Sequence, residues 1–313
     1  MGTGTEDLAV LTLAVALDLA FGELPVRFHP TAWMGRTVAF AVKLTPGNGW
    51  TGVVSGGVMA ALVAGLWVAA AVFAVRGLHG IHDLAYILVG AVLLKSTFSI
   101  RMLHQEAARV RGLLASGDTV NARRGLRSLV SRDPSRLSSE QTAAAAVESV
   151  SENMTDSFFG PWLFFAVFGL PGAVAYRAVN TLDSMVGYRG EFEFLGKASA
   201  RLDDLLNLIP ARVTALLLVF ASLFLPGQRA AGAWRIMWRD HSLTQSPNAG
   251  WAMSGMAGAL GVELEKTGHY RLGEGTRPVG SQDITQAIRS MYLVAALGLA
   301  IALALAYVRG LIF

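Results

Sequence analysis

The sequence predicts an all-α polytopic integral membrane protein with about four spanning helices, re-entrant helical hairpins, and cytoplasmic helical and loop regions. Of its 313 residues, 53% are hydrophobic and 15% are charged, and the mean hydropathy is +0.47. This composition is too apolar for an ordinary soluble protein, and the chain is long enough for several spans. The absence of cysteine excludes structural disulfides, thiolate metal ligands and cysteine nucleophiles.

Six apolar runs define the candidate spans. A span needs about 20 residues at the helical rise, which the second and last runs provide, whereas the others are short or interrupted. If two of the short runs form hairpins, four full spans remain, with the N-terminus outside and Arg76–Asp83 as a short external connection. In chain order, the runs are Leu8–Phe21, Val53–Val75, Leu84–Ile100, Phe158–Tyr176, Ala211–Leu225 and Met291–Val308.

Basic residues predict the orientation in the inner (cell) membrane. Between positions 95 and 136 they outnumber the acids, so the positive-inside rule places this connection in the cytoplasm. The same rule explains the net charge of +4 without a nucleic-acid partner. We therefore expect one membrane-embedded domain, residues 1–313, with a cytoplasmic helical segment at 101–157 and a cytoplasmic polar segment at 240–289. The basic residues are Lys95, Arg101, Arg109, Arg111, Arg123, Arg124, Arg127, Arg132 and Arg136.

Three carboxylates form a stripe directly before the fourth apolar run. Glu148, Glu152 and Asp156 follow one another at i, i+4 spacing, which places them on one face of a helix. Three unpaired acids at a membrane boundary are costly unless cations lie among them. The stripe therefore indicates a site for a divalent metal or a cationic substrate, facing the cytoplasm.

The triplet Leu170-Pro171-Gly172 interrupts the same apolar run. Proline followed by glycine favours a turn over a continued helix. We therefore predict a re-entrant hairpin that descends from Asp156 to Phe168 and returns from Gly172 to about Ser184, its turn buried against protein. The alternative is that Pro171 only kinks one spanning helix. The triplet recurs as Leu225-Pro226-Gly227, before the amphipathic stretch Ala230–Arg239, and predicts a second hairpin.

The returning arm of the first hairpin carries a second polar face. Arg177, Asn180, Asp183 and Ser184 fall at i, i+3, i+6 and i+7, so they share one side of a helix. The hairpin would bring this face to the carboxylate stripe. One interpretation is catalysis, and the other is that Arg177 and Asp183 merely complete the local charge balance.

Further polar residues are candidates with structural alternatives. Lys197 and Arg201 suit phosphate binding, but they equally fit basic side chains that extend towards a membrane surface. Asp203 and Asn207 lie one helical turn apart. Asp18 lies inside an apolar run, where it is either functional or paired with Arg36.

Two glycine-containing segments near the C-terminal third predict local structure. Gly255, Gly258 and Gly261 are explained by close helix packing, since no Gly-Lys-Ser/Thr follows them. The loop from Ser246 to Trp251 contains Asn248 and is by itself only a turn.

Several motifs in order resemble the CobD/CbiB family of cobalamin biosynthesis, and the likeness covers nearly the whole chain. The family commonly has Gly-Asp-Pro before a His-Pro pair, whereas this chain has Gly22-Glu23-Leu24-Pro25 before His29-Pro30, so the carboxylate is displaced. The motifs are Ala145-Ala-Val-Glu148-Ser-Val-Ser-Glu152-Asn153, Gly169-Leu-Pro-Gly172-Ala-Val-Ala-Tyr176-Arg177-Ala-Val-Asn180-Thr-Leu-Asp183-Ser-Met-Val-Gly187-Tyr188 and Ser246-Pro-Asn248-Ala-Gly250-Trp251.

The resemblance implies adenosylcobinamide-phosphate synthase activity. This reaction joins the amine of (R)-1-aminopropan-2-yl phosphate, or of aminopropanol, to a propionate of adenosylcobyric acid at the expense of ATP. Cobalt enters only as part of the corrinoid substrate. The residue roles that we expect are Mg²⁺ binding by Glu148, Glu152, Asp156 and Asp183, catalysis by Glu152, Asp183, Asn180 and Arg177, and binding of ATP or phosphate by Lys197, Arg201, Asn248, Asn153 and Ser184.

The expected partners are the two substrates, the lipid bilayer and other membrane-bound enzymes of cobalamin assembly. Glu152 is either a metal ligand or the base that accepts the ammonium proton. The alternative function is a membrane transporter or sensor that binds a corrinoid or an organic phosphate, because re-entrant hairpins and intramembrane acids also occur in transporters.

Overall fold

The computed structural model describes residues 4–130, 132–188, 190, 192–275 and 277–312, and about 76% of the chain is helical. The prediction of a predominantly helical fold is confirmed. A 3₁₀ turn at Val26–Phe28 and a π-helical turn at Thr155–Phe159 interrupt the α-helices. The helices are α1 (Gly4–Phe21), α2 (Pro30–Leu44), α3 (Gly49–Ile81), α4 (Asp83–Lys95), α5 (Arg101–Ala115), α6 (Thr119–Leu126), α7 (Ser139–Met154), α8 (Gly160–Val186), α9 (Lys197–Leu206), α10 (Leu208–Ala221), α11 (Ala230–Asp240), α12 (Ala249–Leu260) and α13 (Ser281–Ile312).

A small antiparallel hairpin of β1 (Glu263–Lys266) and β2 (Tyr270–Gly273) departs from the all-α prediction. Leu264 pairs directly with Leu272, and both side chains are fully buried. Gly268, with a φ of +77°, lies between the strands. The alternation in these four-residue strands is too short to stand out in the sequence.

Among the described residues, three helical segments are long and apolar enough to cross a membrane by length and composition: Gly49–Ile81, Ser139–Val186, which contains the chain reversal of α8, and Ser281–Ile312. A fourth arises if α9 and α10, which are bent by 47° relative to each other, form one broken span. On α3, Val54, Val58 and Leu62 are between 54% and 68% exposed. An apolar helix with so many exposed large side chains is suited to lipid contact.

The connection between α3 and α4 is shorter than predicted. Helix α3 continues to Ile81, so His82 alone separates it from α4, and the Nδ1 atom of His82 accepts a hydrogen bond from the Leu84 amide. The predicted external loop Arg76–Asp83 is therefore wrong as a loop, because the apolar helix simply runs on. Helix α4 ends at Lys95, five residues before the predicted end of its apolar run.

The chain forms two compact units. The first contains the described residues of Met1–Ser99, Gly160–Asn207 and Leu299–Phe313. The second contains those of Ile100–Phe159 and Leu208–Gly298. The expectation of a single membrane-embedded domain stays a prediction.

Within the first unit, α8 folds back on itself. In a continuous helix Gly160 and Tyr176 would be about 24 Å apart, yet a Cβ at Gly160 would overlap the Tyr176 ring. The rings of Phe164 and Tyr176 lie 5.2 Å apart, and the backbone of Gly172 lies against Phe164 and Phe168. The predicted chain reversal is therefore confirmed, while its placement in a bilayer stays a prediction.

The turn of this hairpin lies at Gly169, slightly earlier than the sequence suggests. Gly169 has φ 69° and ψ −164°, a conformation that side chains with a Cβ rarely adopt. Pro171 then lies in the first turn of the returning arm, where a missing amide donor costs nothing. The guanidinium of Arg309 donates a 2.6 Å hydrogen bond to the Phe165 carbonyl and also pairs with Asp7. Arg309 thus satisfies a carbonyl near the end of the descending arm.

The second predicted reversal, at Leu225-Pro226-Gly227, is also confirmed. Helix α10 ends at Ala221 and α11 begins at Ala230, and Gly227 between them has a φ of +83°. Ala215 of α10 and Met237 of α11 share one buried cluster. Helices α11 and α12 meet where Gly232 and Gly258 bring their backbones into contact, which confirms that close helix packing explains Gly258.

Gly160→Ala should destabilise the first unit, because the added methyl group meets the Tyr176 ring inside the hairpin. Overpacking of a core costs about 1–3 kcal/mol. The measurement is the free energy of unfolding of the detergent-solubilised protein, with Gly65→Ala on α3 as the matched control, since nothing lies within 4 Å of that position. Equal stabilities of the two variants would contradict the hairpin packing.

Candidate functional site

A buried ion network lies at the end of α4 in the first unit. The Nζ atom of Lys95 is 3.1 Å from Oδ1 of Asp18 and 2.9 Å from Oε1 of Glu23. The side chains of Lys95 and Asp18 are only 3% and 0% exposed. The sequence suggested that Lys95 is a loop charge and offered Arg36 as the partner of Asp18. In the structure, Lys95 is buried and is itself the partner of Asp18. Two carboxylates around one ammonium offset the desolvation of all three charges.

Glu23 also holds His29, the residue that precedes α2. Oε2 of Glu23 is 2.7 Å from Nε2 of His29. Burial opposes ionisation of Glu23, but the hydrogen bond with His29 and the charge of Lys95 outweigh it and lower its pKa to about 2. An ionised carboxylate only accepts hydrogen bonds, so Nε2 carries the proton and Nδ1 faces the other way. Nδ1 is buried, and among the described residues no group hydrogen-bonds it.

A second polar network in the same unit begins two residues after Lys95. The Thr97 carbonyl accepts a 2.5 Å hydrogen bond from Nε of Arg177. A terminal nitrogen of Arg177 donates to Oδ1 of Asn180 at 2.8 Å. The predicted shared face of Arg177 and Asn180 is thus confirmed, and the guanidinium is held from two sides. The segment after α4 contributes to both networks, through the Lys95 side chain and the Thr97 backbone.

Asp203 continues this second network. Its Oδ1 atom accepts from Asn180 at 3.4 Å, and its Oδ2 atom accepts from Asn207 at 3.0 Å. Tyr176 in turn donates to Oδ1 of Asn207 at 2.6 Å. The sequence pairing of Asp203 with Asn207 is confirmed, whereas their link to Asn180 and Tyr176 requires α8 and α9 to pack together.

The remaining predicted residues of the first unit lie nearer the surface. The Ser184 hydroxyl donates to the Thr181 carbonyl at 2.9 Å, within its own helix. Asp183 lies against Gly187 at the end of the returning arm. Lys197 is exposed, and Arg201, 75% exposed, is 3.4 Å from Asp204. The roles of these four residues in catalysis, in metal binding or in binding ATP and phosphate stay predictions.

In the second unit, the carboxylate stripe is α-helical only through Glu152. Glu148 is buried, and its Oε2 atom accepts a 2.9 Å hydrogen bond from Arg132. Glu152, one turn later on α7, is exposed. Asp156 lies in the π-helical turn, whose wider winding takes it out of the α-helical register. Asn153 donates to the Ser149 carbonyl at 2.9 Å.

Asn248 of the second unit is buried where α12 begins. Its Oδ1 atom accepts a 2.9 Å hydrogen bond from Arg212, whose guanidinium also lies 4.9 Å from the centre of a Trp251 ring. The Ser246 hydroxyl accepts from the amides of Asn248 and Ala249, at 3.2 and 3.4 Å. The segment is more than a turn, since it fixes an amide beside a cation and an aromatic ring.

Known proteins are similar in sequence to this chain over most of its length. A protein-family profile described as "CobD/Cbib protein" matches residues 11–291. The chain belongs to the CobD/CbiB family. It is 48% identical over 283 residues to "Cobalamin biosynthesis protein CobD" of Dehalococcoides mccartyi, covering 90% of this chain and 91% of that protein.

More distant members are also similar over most of their length. The chain is 41% identical to "Probable cobalamin biosynthesis protein CobD" of Methanothermobacter thermautotrophicus, over 91% of this chain and 93% of that one. It is 38% identical to "Cobalamin biosynthesis protein CobD" of Klebsiella pneumoniae, over 94% and 96%. No solved structure matches. As a member of the CobD/CbiB family, this chain has a role in cobalamin biosynthesis.

The four acids predicted to share Mg²⁺ are divided between the units, with Asp183 in the first and the others in the second. Among the described residues, no three His, Asp or Glu side chains form a group that could hold a metal. Mg²⁺ commonly takes only one or two carboxylates and completes its shell with water and phosphate oxygens. Glu148 fits that pattern, because its buried Oε1 atom has no hydrogen-bond partner among the described residues.

Lys95→Met should destabilise the first unit by about 3–5 kcal/mol, because it leaves the fully buried Asp18 carboxylate without its cation. Asp18→Asn combined with Lys95→Met should recover much of this loss, since no buried charge then lacks a partner at that position. The free energy of unfolding in detergent is the measurement. If the double variant were no more stable than Lys95→Met alone, the Asp18–Lys95 pair would not be what the lysine neutralises.

Proposed function

We propose that this chain is an acid-amine ligase that makes adenosylcobinamide phosphate. It would join the amine of (R)-1-aminopropan-2-yl phosphate to a propionate of adenosylcobyric acid, using ATP. The observation that carries the proposal is the family match over residues 11–291, together with the motif resemblance that implies this reaction. The fixed Arg177 and Asn180 of the first unit supply polar groups of the kind that the reaction needs.

The chemistry sets three requirements for the site. A carboxylate resists attack by an amine, so an oxygen of the propionate first takes the γ-phosphoryl group of ATP and ADP leaves. The amine nitrogen then attacks the acyl carbon, the C–O bond to phosphate breaks, and the nitrogen loses a proton. The site must therefore orient phosphates, neutralise their charge and supply a base.

For phosphate binding, we propose Arg177, Lys197 and Arg201. Hydrogen bonds to Thr97 and Asn180 fix the guanidinium of Arg177, and a prepositioned guanidinium matches the oxygens of a phosphate. Lys197 and Arg201 are exposed, so they would act as mobile charges around an entering substrate. Asn180, Asn248, Asn153 and Ser184 would orient substrate or nucleotide by hydrogen bonds.

Glu148 and Glu152 would hold Mg²⁺, with Asp156 and Asp183 as further proposed ligands. When bound with ATP, Mg²⁺ neutralises negative charge on the phosphates. Glu148 presents its oxygen without a hydrogen-bond partner among the described residues. Glu152 follows one turn later and is exposed, so a substrate phosphate could reach it.

Two residues are candidates for the base that takes the ammonium proton. Glu152 is the first, because it is exposed and belongs to the motif that resembles the family. His29 is the second, because its Nε2 atom is fixed by Glu23 and its Nδ1 atom has no partner among the described residues.

We also propose that the chain lies in the inner membrane with its site towards the cytoplasm. The connection from Arg101 to Arg136 supports this orientation, because it remains rich in arginine after Lys95 is assigned to the buried network.

Glu152→Gln should lower ATP- and Mg²⁺-dependent formation of the cobinamide phosphate by about 10²-fold or more if Glu152 is the base. Glu140→Gln, an exposed position on the same helix, is the matched control and should retain turnover. Near-normal turnover of Glu152→Gln would remove Glu152 from the mechanism and leave His29 as the candidate base.

Arg177→Lys should raise the KM for the phosphorylated amine, since lysine lacks the guanidinium fork.

Single cysteines at positions 152 and 183 should share one orientation, and the cysteine-free chain makes each a unique label. A membrane-impermeant maleimide should modify neither in intact cells and both in inside-out vesicles. A cysteine at position 82, in the predicted external connection, serves as the outward-facing control. Labelling of 183 but not of 152 from outside would contradict the proposed cytoplasmic orientation of both residues.

A further inference from the structure

An open pocket in the second unit contains none of the residues proposed for catalysis, metal binding or substrate binding. It lies where the backbones of α11 and α12 touch, beside the segment that follows β2, and its volume is about 370 Å³. Ligand pockets typically measure about 300–1,000 Å³, so this one is large enough for a small ligand. Its lining residues are Arg229, Gly232, Arg235, Ile236, Ala257, Gly258, Gly261, Glu274, Gly275 and Arg277.

Glycines form much of the pocket wall and leave backbone exposed to a ligand. Gly232 and Gly258 touch through their backbones, so neither position tolerates a Cβ. Gly261 ends α12 in a left-handed conformation with a φ of +64°, and its backbone lies directly against the Arg229 guanidinium. The Arg229 amide donates to the Ala259 carbonyl at 2.9 Å, which fixes the arginine beside the end of α12.

The three arginines of the pocket differ in their partners. Arg277 makes a two-pronged pair with the buried Asp283, with its shorter contact at 2.6 Å, so it is a rigid part of the wall. Arg235 pairs with Glu274. Within the part of the chain that the structure describes, no side chain or carbonyl hydrogen-bonds the guanidinium of Arg229, which is exposed.

The one carboxylate in the pocket is already compensated. Glu274 accepts from Arg235 and, at 2.7 Å, from Arg239. Hydrogen bonds from Arg235 and Arg239 lower the pKa of Glu274, so it remains an anion bound to two cations. Arg239 also binds Asp240. The guanidinium groups of Arg235, Arg239 and Arg277 thus meet the three carboxylates of Glu274, Asp240 and Asp283, and the positive charge of Arg229 is left over.

We propose that this pocket binds the phosphate groups of a phosphate-bearing anion, with Arg229 as the principal contact. Guanidinium forks match phosphate oxygens, and backbone free of side chains lets a bulky anion approach closely. The volume exceeds that of a single phosphate, so a chain of phosphates or a phosphate with an attached group fits. The proposal does not depend on amide formation, because it rests on the geometry of the second unit alone.

The test uses the purified full-length protein in detergent at low ionic strength, where charge attraction is least screened. The probe is inorganic tripolyphosphate, titrated by calorimetry without metal ions. Arg229→Ala should weaken its affinity about tenfold or more, the loss expected for a charged hydrogen bond. The affinity of Arg229→Lys should lie between those of the wild type and Arg229→Ala. Arg271 is an exposed arginine on β2 outside the pocket, so Arg271→Ala should bind tripolyphosphate as tightly as the wild type.

Glu274→Gln provides the opposite test. Removing this carboxylate frees the lining residue Arg235 for the anion, while Arg239 stays paired with Asp240, so the affinity for tripolyphosphate should rise. Absence of binding by the wild-type protein, or equal losses in Arg229→Ala and Arg271→Ala, would overturn the proposal. Because the Arg229 side chain has no hydrogen bond among the described residues, its substitution should leave the unfolding temperature unchanged.

Competition distinguishes the two sources of such an anion. A non-hydrolysable ATP analogue that displaces tripolyphosphate from the wild type would identify a nucleotide. Displacement by phosphatidic acid in phosphatidylcholine nanodiscs, but not by phosphatidylcholine alone, would identify a lipid headgroup. Either result supports the proposed site, whereas failure of both competitors would show that the site takes neither and would overturn its assignment to phosphate-bearing ligands. Turnover of Glu152→Gln has no bearing on these outcomes.

Discussion

The reversal of α8 at Gly169 is the constraint on which the first unit depends. An apolar segment can turn back only if its broken helix ends find hydrogen-bond partners away from water. Gly169 supplies the backbone conformation, and Arg309, anchored by Asp7, supplies a donor for the Phe165 carbonyl. Without this turn, Tyr176 could not lie against Gly160, and Arg177 would not be held where it meets the Thr97 carbonyl.

Several buried charges lie beside this hairpin, and they are tolerated because each has a specific partner. Lys95 lies between Asp18 and Glu23, and the same short segment after α4 supplies the carbonyl that orients Arg177. Removing one partner from such a set leaves an uncompensated charge, whereas the complete set is tolerated. For the proposed amide synthesis, these fixed groups offer what a flexible surface could not, namely a preset guanidinium and an imidazole with one nitrogen already oriented.

The second unit separates two kinds of charge. Its carboxylates at Glu148 and Glu152 lie along α7, with Arg132 as the partner of the buried one. Its arginines gather where the backbones of α11 and α12 touch, since glycines there remove the side chains that would otherwise fill the space. An acidic position suits a cation, and a basic pocket suits a phosphate. ATP bound with Mg²⁺ contains both a cation and phosphates, so the acidic residues of α7 and the arginine pocket suit different parts of it.

The sequence by itself determined the membrane class, the positions of both chain reversals and the family. Those properties depend on composition, local turn chemistry and residues close together in the chain, as with Leu170-Pro171-Gly172 and the shared face of Arg177 and Asn180. Only the tertiary structure decided that Lys95 is buried with Asp18, that Glu23 orients His29, and that Arg132 neutralises Glu148. It also revealed the π-helical turn at Asp156 and the arginine pocket. No periodicity marks these contacts, because burial and pairing of charge depend on which distant segments pack together.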